Sequence, residues 1–246
     1  MSNARKFVTV FTGAGVSADS GVATFRDKDG LWEGHKVEHV ATPSAFRTNP
    51  QLVWDFYRAR YQQLKEVQPN AAHYAIADLE RRLEEAGQKF LLITQNVDGL
   101  HTRAGSKNVI ELHGDLRTLK CSYNQCDFTS EDEVFWNSET VPICPVCDHS
   151  LRVNVVWFGE MLPEQKFILA EDAAYASTHM LVVGTSGVVQ PAVSLVSVAT
   201  FNNAKIVECN PTPAFFETTY LPGGYRCFRG NASVTVPEAV KFILSC

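Results

Sequence analysis

Four cysteines crowd one stretch of the chain: Cys121 and Cys126, then Cys144 and Cys147, with 17 residues between the two pairs. Four thiolates suit tetrahedral zinc, and the C-x-x-C spacing at 144–147 is the commonest for that ion. The opposing reading is four buried free thiols. With no histidine in the cluster and no obvious open position, a zinc ion held there is expected to be structural. A second pattern, TGAGVSADSG, places Gly13, Gly15 and Ala18 in the G-x-G-x-x-A form of a dinucleotide fingerprint, directly after a predicted strand. Small residues let the backbone approach a pyrophosphate, and a following helix N-terminus favours negative charge. A plain tight turn would use the same residues. No second strand ends in an acidic residue about twenty positions later, so the usual reading of an adenosine ribose is not expected.

Two further segments, TQNVDGLH and IELHGD, end apolar runs in polar side chains and carry His101 and His113. Either histidine alone reads as a hydrogen-bonded core residue. Their position at strand ends, beside a glycine turn, points to a site. The stretch FYRARYQQ at 56–63 follows Asn49-Pro50, a cap residue and a proline at the first helical position. At 100° per residue, Val53, Phe56, Tyr57, Arg60 and Leu64 share one side of that helix, with Arg58 opposite and solvent-facing. A guanidinium on an apolar stripe calls for an anionic partner. That partner is either an internal carboxylate or one brought by a bound molecule.

The elements that must position these residues are legible in outline. FVTVFTGAG, FLLITQNVDG, NVIELHGD, HMLVVGTSG and KIVECNPT are short apolar runs ending in turn residues; HYAIADLERRLEEAG and PAVSLVSVATFNNA are helical patterns between them. The alternation predicts an α/β fold: a Rossmann-like parallel sheet with helices on both faces and ligands at the carboxyl ends of the strands. Residues 28–72 and 114–153 break the alternation. They are expected to be a helical insertion and a four-cysteine zinc module that together form a smaller domain, leaving 1–27, 73–113 and 154–246 as the sheet domain.

Composition narrows the class. The 246 residues are 45% hydrophobic and 20% charged, with a net charge of -5 and no basic tail. That argues against a nucleic-acid or membrane surface as partner. Seven cysteines with one tight cluster indicate a metal site in a reducing compartment rather than a disulfide framework. The apolar run at the N-terminus is too short for a secretion signal, so the cytoplasm is the expected location.

The set GAGVSADSG…FR, TQNVDGLH, LHG, the four cysteines, VVWFGE and GTS resembles the sirtuins, the NAD-dependent protein lysine deacylases. The motifs run in the family's order across nearly the whole chain. Tyr57-x-x-Arg60, with the small residue Ala41 in ATP, resembles the desuccinylase-type subgroup, which removes succinyl, malonyl and glutaryl groups. The resemblance implies that Gly13, Ala14 and Gly15 cradle the NAD pyrophosphate, with Ala18, Phe25 and Arg26 closing over ribose and nicotinamide. It implies that Gln95, Asn96, Val97 and Asp98 line that pocket, that Gly184, Thr185 and Ser186 hold phosphate and ribose, and that Asn210 and Ala232 border the adenosine. His113 would be the general base, and Tyr57 and Arg60 would receive the acyl carboxylate. Val155 to Glu160, including Phe158 and Gly159, would form an edge strand pairing with the substrate backbone.

The implied reaction moves an acyl group from lysine to ADP-ribose, yielding nicotinamide, O-acyl-ADP-ribose and free lysine. Weak deacetylation is expected beside it. The implied partners are acylated-lysine proteins or peptides, met by a monomer with NAD and one structural zinc. General deacetylation, mono-ADP-ribosyl transfer and NAD hydrolysis are the competing activities. Two features depart from the family pattern: Ala23 stands where a proline is usual, and the first cysteine knuckle holds four intervening residues rather than two.

Overall fold

Five of the apolar runs become neighbouring strands of one parallel sheet, because residues buried on both faces can satisfy their backbone only through such a ladder. A computed structural model describes residues 6–22, 31–32, 34–187, 189–212 and 222–246. The expectations for Ala23, Phe25 and Arg26 lie outside those residues. In chain order the described strands are β1 (Phe7–Thr12), β2 (Leu31–Trp32), β3 (His35–Lys36), β4 (Lys89–Thr94), β5 (Val109–Glu111), β6 (Gly114–Cys121), β7 (Thr129–Ser130), β8 (Leu151–Val155), β9 (His179–Val183), β10 (Lys205–Asn210) and β11 (Tyr225–Arg229). The helices are α1 (Val37–Val40), α2 (Pro43–Thr48), α3 (Pro50–Glu66), α4 (Ala71–Glu85), α5 (Leu100–Arg103), α6 (Glu133–Trp136), α7 (Glu164–Ala176), α8 (Ser194–Phe201) and α9 (Ala232–Ser245). No helix among the described residues is long and apolar enough to cross a membrane.

The main sheet has the order β11-β10-β9-β1-β4-β5, and every described pairing in it is parallel. Alternate side chains go to opposite faces. Val8, Val10, Leu92, Leu181 and Val207 pack under α4 and α9, whereas Phe11, Ile93, Met180, Val182 and Ile206 pack under α7 and α8. The chain moves from β1 outward to β4 and β5, then returns to lay β9 on the other side of β1. A crevice therefore opens at the carboxyl ends of β1 and β9, where ligands of such sheets bind. Strand β11 was not anticipated. It is an edge strand, its residues are only partly buried, and YRCFR carries no apolar run to announce it.

A second core lies beside the sheet. Val40, Ala41, Val53, Trp54, Phe56, Tyr57, Tyr61 and Leu64 meet Leu116, Leu119, Trp136, Leu151, Val153, Val155 and Trp157. The two insertions thus share one apolar interior, built on the antiparallel sheet β7-β6-β8. Helix α3 starts as its sequence predicts: Asn49 accepts the Leu52 N–H at 3.1 Å and Pro50 opens the first turn. Arg58 corrects an expectation. Rather than facing solvent alone, it donates from Nη1 to the Ser138 carbonyl at 3.1 Å, tying α3 to the cysteine segment.

Candidate functional site

The glycine turn and the end of β9 interlock through their backbones. Gly13 N–H donates to Val183 O, Gly15 N–H to Gly184 O, and Gly184 N–H to Cys209 O. A Cβ on Gly15 would lie 2.7 Å from Gly184 Cα, and Gly184 itself has φ +59. Neither position has room for a side chain. This contact fixes how closely a ligand can approach the head of β1.

Behind the turn sits a buried polar network. Ser17 Oγ donates to Asp98 Oδ2 at 2.7 Å and accepts from Asn96 Nδ2 at 3.0 Å. His73 Nδ1 accepts the Asn70 N–H at 3.2 Å, so its Nε2 carries the proton that faces Ser17 Oγ at 3.3 Å. His101 is turned inward against Thr12 Oγ1 at 3.0 Å and is 2% exposed. Thr12 already donates to Thr94, so His101 must donate to Thr12. Of the two strand-end histidines, His101 is thus a core group and only His113 reaches the cavity.

His113 is oriented by a bond between Nδ1 and the Gln95 carbonyl at 2.8 Å. The carbonyl can only accept, so Nδ1 carries the proton and Nε2 keeps its lone pair. Burial pushes the imidazole below its ordinary value, against the opposing pull of that bond, and the ring is neutral at neutral pH. Gly114, at φ +86, lets β8 pass close: a Cβ there would lie 2.0 Å from Asn154 O. As a result Val156 N–H reaches the His113 carbonyl at 2.8 Å.

The expected edge strand over Val155–Glu160 is not what forms. Strand β8 stops at Val155, and the next five residues make a turn closed by Glu160 N–H to Trp157 O at 3.0 Å. Trp157 stays buried in phase with Val153 and Val155, but beyond Val155 the backbone donors are claimed locally rather than by a neighbouring strand. The Trp157 backbone N–H goes to Glu160 Oε2 at 2.8 Å, and Phe158 N–H goes to Ala41 O at 3.0 Å. Phe158 is half exposed at the rim.

One cavity of about 670 Å³ gathers these pieces. Its wall includes Gly13, Ala14, Gly15, Gln95, Asn96, Val97, Asp98, Gly184, Thr185, Ser186 and Asn210 on one side, with His113 among them. The same wall continues through Ala41, Tyr57, Arg60, Val155, Phe158, Gly159 and Glu160. Its volume falls in the range of ligand pockets, roughly 300–1,000 Å³. The matching family model, described as the Sir2 family, spans residues 13–191.

The chain belongs to the Sir2 family.

Among relatives named NAD-dependent protein deacylase, this sirtuin is 48% identical over 208 residues to one from Thermus thermophilus, covering 85% of this chain and 80% of the relative. It is 45% identical over 254 residues to one from Salmonella typhimurium, covering 99% and 85%. A solved Sir2 homologue–NAD complex superposes with TM-score 0.83 at 40% identity, covering 98% of this chain and 91% of that one.

Two sirtuin positions expected at the cofactor fall outside the cavity wall. Ala18 is exposed in a 3₁₀ turn, and Ala232 is the buried first residue of α9. Asp19 ties the two together by accepting from Asn231 Nδ2 at 2.9 Å and Ser233 N–H at 3.1 Å. Conversely, Val22, Leu116, Leu162, Gln190 and Thr212 line the cavity without having been singled out. Motif spacing carried no signal for them, since loops supply wall residues wherever the fold brings them. At the other end of the small core, the Sγ atoms of Cys121, Cys126, Cys144 and Cys147 all lie within 4.8 Å of one another. Four thiolates about 2.3 Å from a common centre suit tetrahedral zinc, and the wider first knuckle does not prevent their convergence.

Proposed function

We propose that this chain is an NAD-dependent protein-lysine deacylase preferring acyl groups that end in a carboxylate, namely succinyl, malonyl and glutaryl. The observation that carries the reading is a single cavity lined by the glycine turn, His113 and the Tyr57–Arg60 pair. NAD, when bound, supplies ADP-ribose as acyl acceptor and nicotinamide as leaving group. The interlocked Gly13–Gly15 turn and Thr185 offer backbone and small side chains to its phosphates. Gln95, Asn96, Asp98 and Asn210 offer polar groups to its riboses and rings. His113 Nε2, with a free lone pair and a neutral ring, takes the proton that acyl transfer releases. At the far side of the wall Arg60 is half-buried, its Nε and Nη1 shielded from solvent, with the Phe56 ring 5.1 Å from its guanidinium carbon. Ala41 is small and leaves depth for a longer acyl chain. Zinc, held by the four cysteines, has a structural role here, fixing the second core.

The deacylase names of relatives at 41–48% identity support the general activity. The acidic preference rests on Tyr57 and Arg60. The separate apolar cores support a division into a sheet domain (1–27, 73–113 and 154–246) and a small domain (28–72 and 114–153), with Val155 and Trp157 of the former packing into the core of the latter. We further infer a cytoplasmic monomer acting on acyl-lysine peptides, with neither nucleic acid nor membrane as partner. The four-cysteine cluster, which suits a metal rather than disulfides, and the net charge of -5 fit that setting. The test is an acyl-lysine peptide panel with NAD, read by mass spectrometry, on the native chain and on Arg60→Met. O-succinyl-ADP-ribose should outweigh O-acetyl-ADP-ribose, and the substitution should lower the succinyl-to-acetyl ratio about ten- to a hundredfold, the worth of one charge-assisted contact. Equal losses on both peptides would sink the acidic preference. ADP-ribose without any acylated form would point instead to an NAD hydrolase.

A further inference from the structure

The segment that carries His113 closes against the Gln95–Asp98 wall at alternating positions. His113 Nδ1 donates to Gln95 O, and Leu116 N–H donates to Val97 O at 2.9 Å. The third contact is of a different kind, with the Arg117 side chain lying against Gly99. A Cβ on Gly99 would fall 2.5 Å from the guanidinium carbon, 2.6 Å from Nε and 3.0 Å from Nη1. The plane of the guanidinium thus covers the space that a side chain would take. Gly99 also has φ +65, so glycine is required there for two separate reasons.

The guanidinium is not free to swing aside. Nε donates to Asp115 Oδ1 and Oδ2 at 3.0 Å each, and Nη2 donates to Oδ2 at 2.5 Å. Asp115 is buried, and its Oδ1 also accepts the Arg117 N–H at 2.8 Å. Glu111 Oε1 stands 3.9 Å from Nη2 as a second carboxylate. The Arg117 backbone is pinned as well, its carbonyl accepting Trp136 Nε1–H at 3.1 Å. A carboxylate-held planar fork can pack flat on a turn, whereas an ammonium is a compact point charge on a flexible stem.

We propose that Arg117 is a positioning residue for the nicotinamide-ribose side of the cofactor: it seals the Asp98–Gly99 turn onto the segment that carries His113. The inference rests on the NAD reading above. Asp98 lines the cavity next to this seal, and its carboxylate accepts from Ser17, Asn96 and the Leu100 N–H. Without the guanidinium a gap opens beside a glycine, and Asp98 and His113 no longer keep one fixed spacing. Nothing in the motif spacing marks Arg117. Only the pairing of 113–117 with 95–99 brings it to the turn.

The test is calorimetry on the whole chain with two probes, NAD and ADP, the second carrying adenosine and phosphates but no nicotinamide ribose. Arg117→Met keeps the stem and removes the fork. Its NAD affinity should fall about three- to tenfold, the worth of one misaligned hydrogen bond. Its ADP affinity should stay within about twofold of native, the scatter expected for independent sites. Arg117→Lys should lose NAD affinity as Arg117→Met does, because charge without the plane does not seal the turn. Gly99→Ala, whose Cβ must expel the guanidinium, should weaken NAD binding more in the native chain than in an Arg117→Met background. Arg117→Gln is the second variant should methionine disturb folding. Native NAD affinity in these variants, equal losses for NAD and ADP, full affinity in Arg117→Lys, or the same Gly99→Ala loss in both backgrounds overturns the inference alone. A native chain that binds no NAD overturns the NAD reading and the inference together.

Discussion

His113 performs its proposed task because two local features act on one ring. The Gln95 carbonyl claims the Nδ1 proton, and burial keeps the imidazole neutral. The neutral form is the one able to accept a proton, so activity should persist as pH falls below the ordinary histidine value of about 6.5. A kcat profile is therefore expected to show its acidic limb below that value, and His113→Ala should remove turnover while NAD still binds in calorimetry. A limb at or above the ordinary value would mean that another group is being titrated. Tyr57 shows the complementary case at this scale. Burial drives the Tyr57 phenol well above its usual range, which keeps the hydroxyl protonated throughout the physiological range. Glu160 goes the other way: burial alone would raise it, but Arg152 and the Trp157 N–H hold it below the usual carboxylate range.

Elements place these residues by a few contacts that tolerate little change. Gly15→Ala would drive a Cβ to 2.7 Å from Gly184 Cα and 2.8 Å from Gly184 O, both backbone atoms that cannot swing aside. The turn must then separate from β9, at a cost of about 1–3 kcal/mol for overpacking. A lower melting temperature together with weaker NAD binding is expected. A variant with native NAD affinity would show that the turn can open without harm. Helix α3 depends on a different set of contacts. Tyr61 stacks on Trp136 with centroids 4.2 Å apart, Trp54 stacks on the same ring at 5.2 Å, and Trp54 Nε1 donates to Ser138 O at 3.1 Å. Helix α3 therefore leans on the segment that carries the cysteines. Chelating the zinc should erase the near-ultraviolet circular dichroism of these stacked rings while the far-ultraviolet signal of the main sheet persists. Stoichiometric zinc release with an unchanged near-ultraviolet spectrum would refute that coupling.

At the scale of the whole molecule, stability carries the mark of two buried histidines. Burial lowers His73 to about 4, and burial together with the neighbouring His73 lowers His101 well below its ordinary value. Both are neutral when folded, whereas unfolding lets them bind protons near pH 6.5. The unfolded state thus holds more protons, and stability falls as pH drops from about 6.5 toward 4, by up to about 1.4 kcal/mol per pH unit for each ring. Urea midpoints at pH 7 and pH 5 should differ accordingly, and His101→Gln should flatten the slope; an unaltered slope would assign it to carboxylates. How much of this was legible beforehand differs by residue. The five parallel strands, the cap at Asn49, the four cysteines and the glycine turn could be read directly, because each is a local pattern of burial, dihedral need or ligand spacing. Arg58 was misjudged because a helical wheel shows the face but not the loop at Ser138 that meets it. The strand expected through Glu160 stops at Val155 because the Trp157 and Phe158 N–H groups are taken by Glu160 and Ala41, contacts that alternation does not reveal. What the sequence by itself determined is the chemistry available: thiolates, a phosphate-sized turn, a histidine at a strand end, and a tyrosine and arginine on one helix face. Which of those groups share a cavity, which histidine is turned inward, and which indole faces Tyr57 were decided only by tertiary structure. Those contacts join residues far apart in the chain, Trp157 and Tyr57 by 100 positions, and only packing closes such loops.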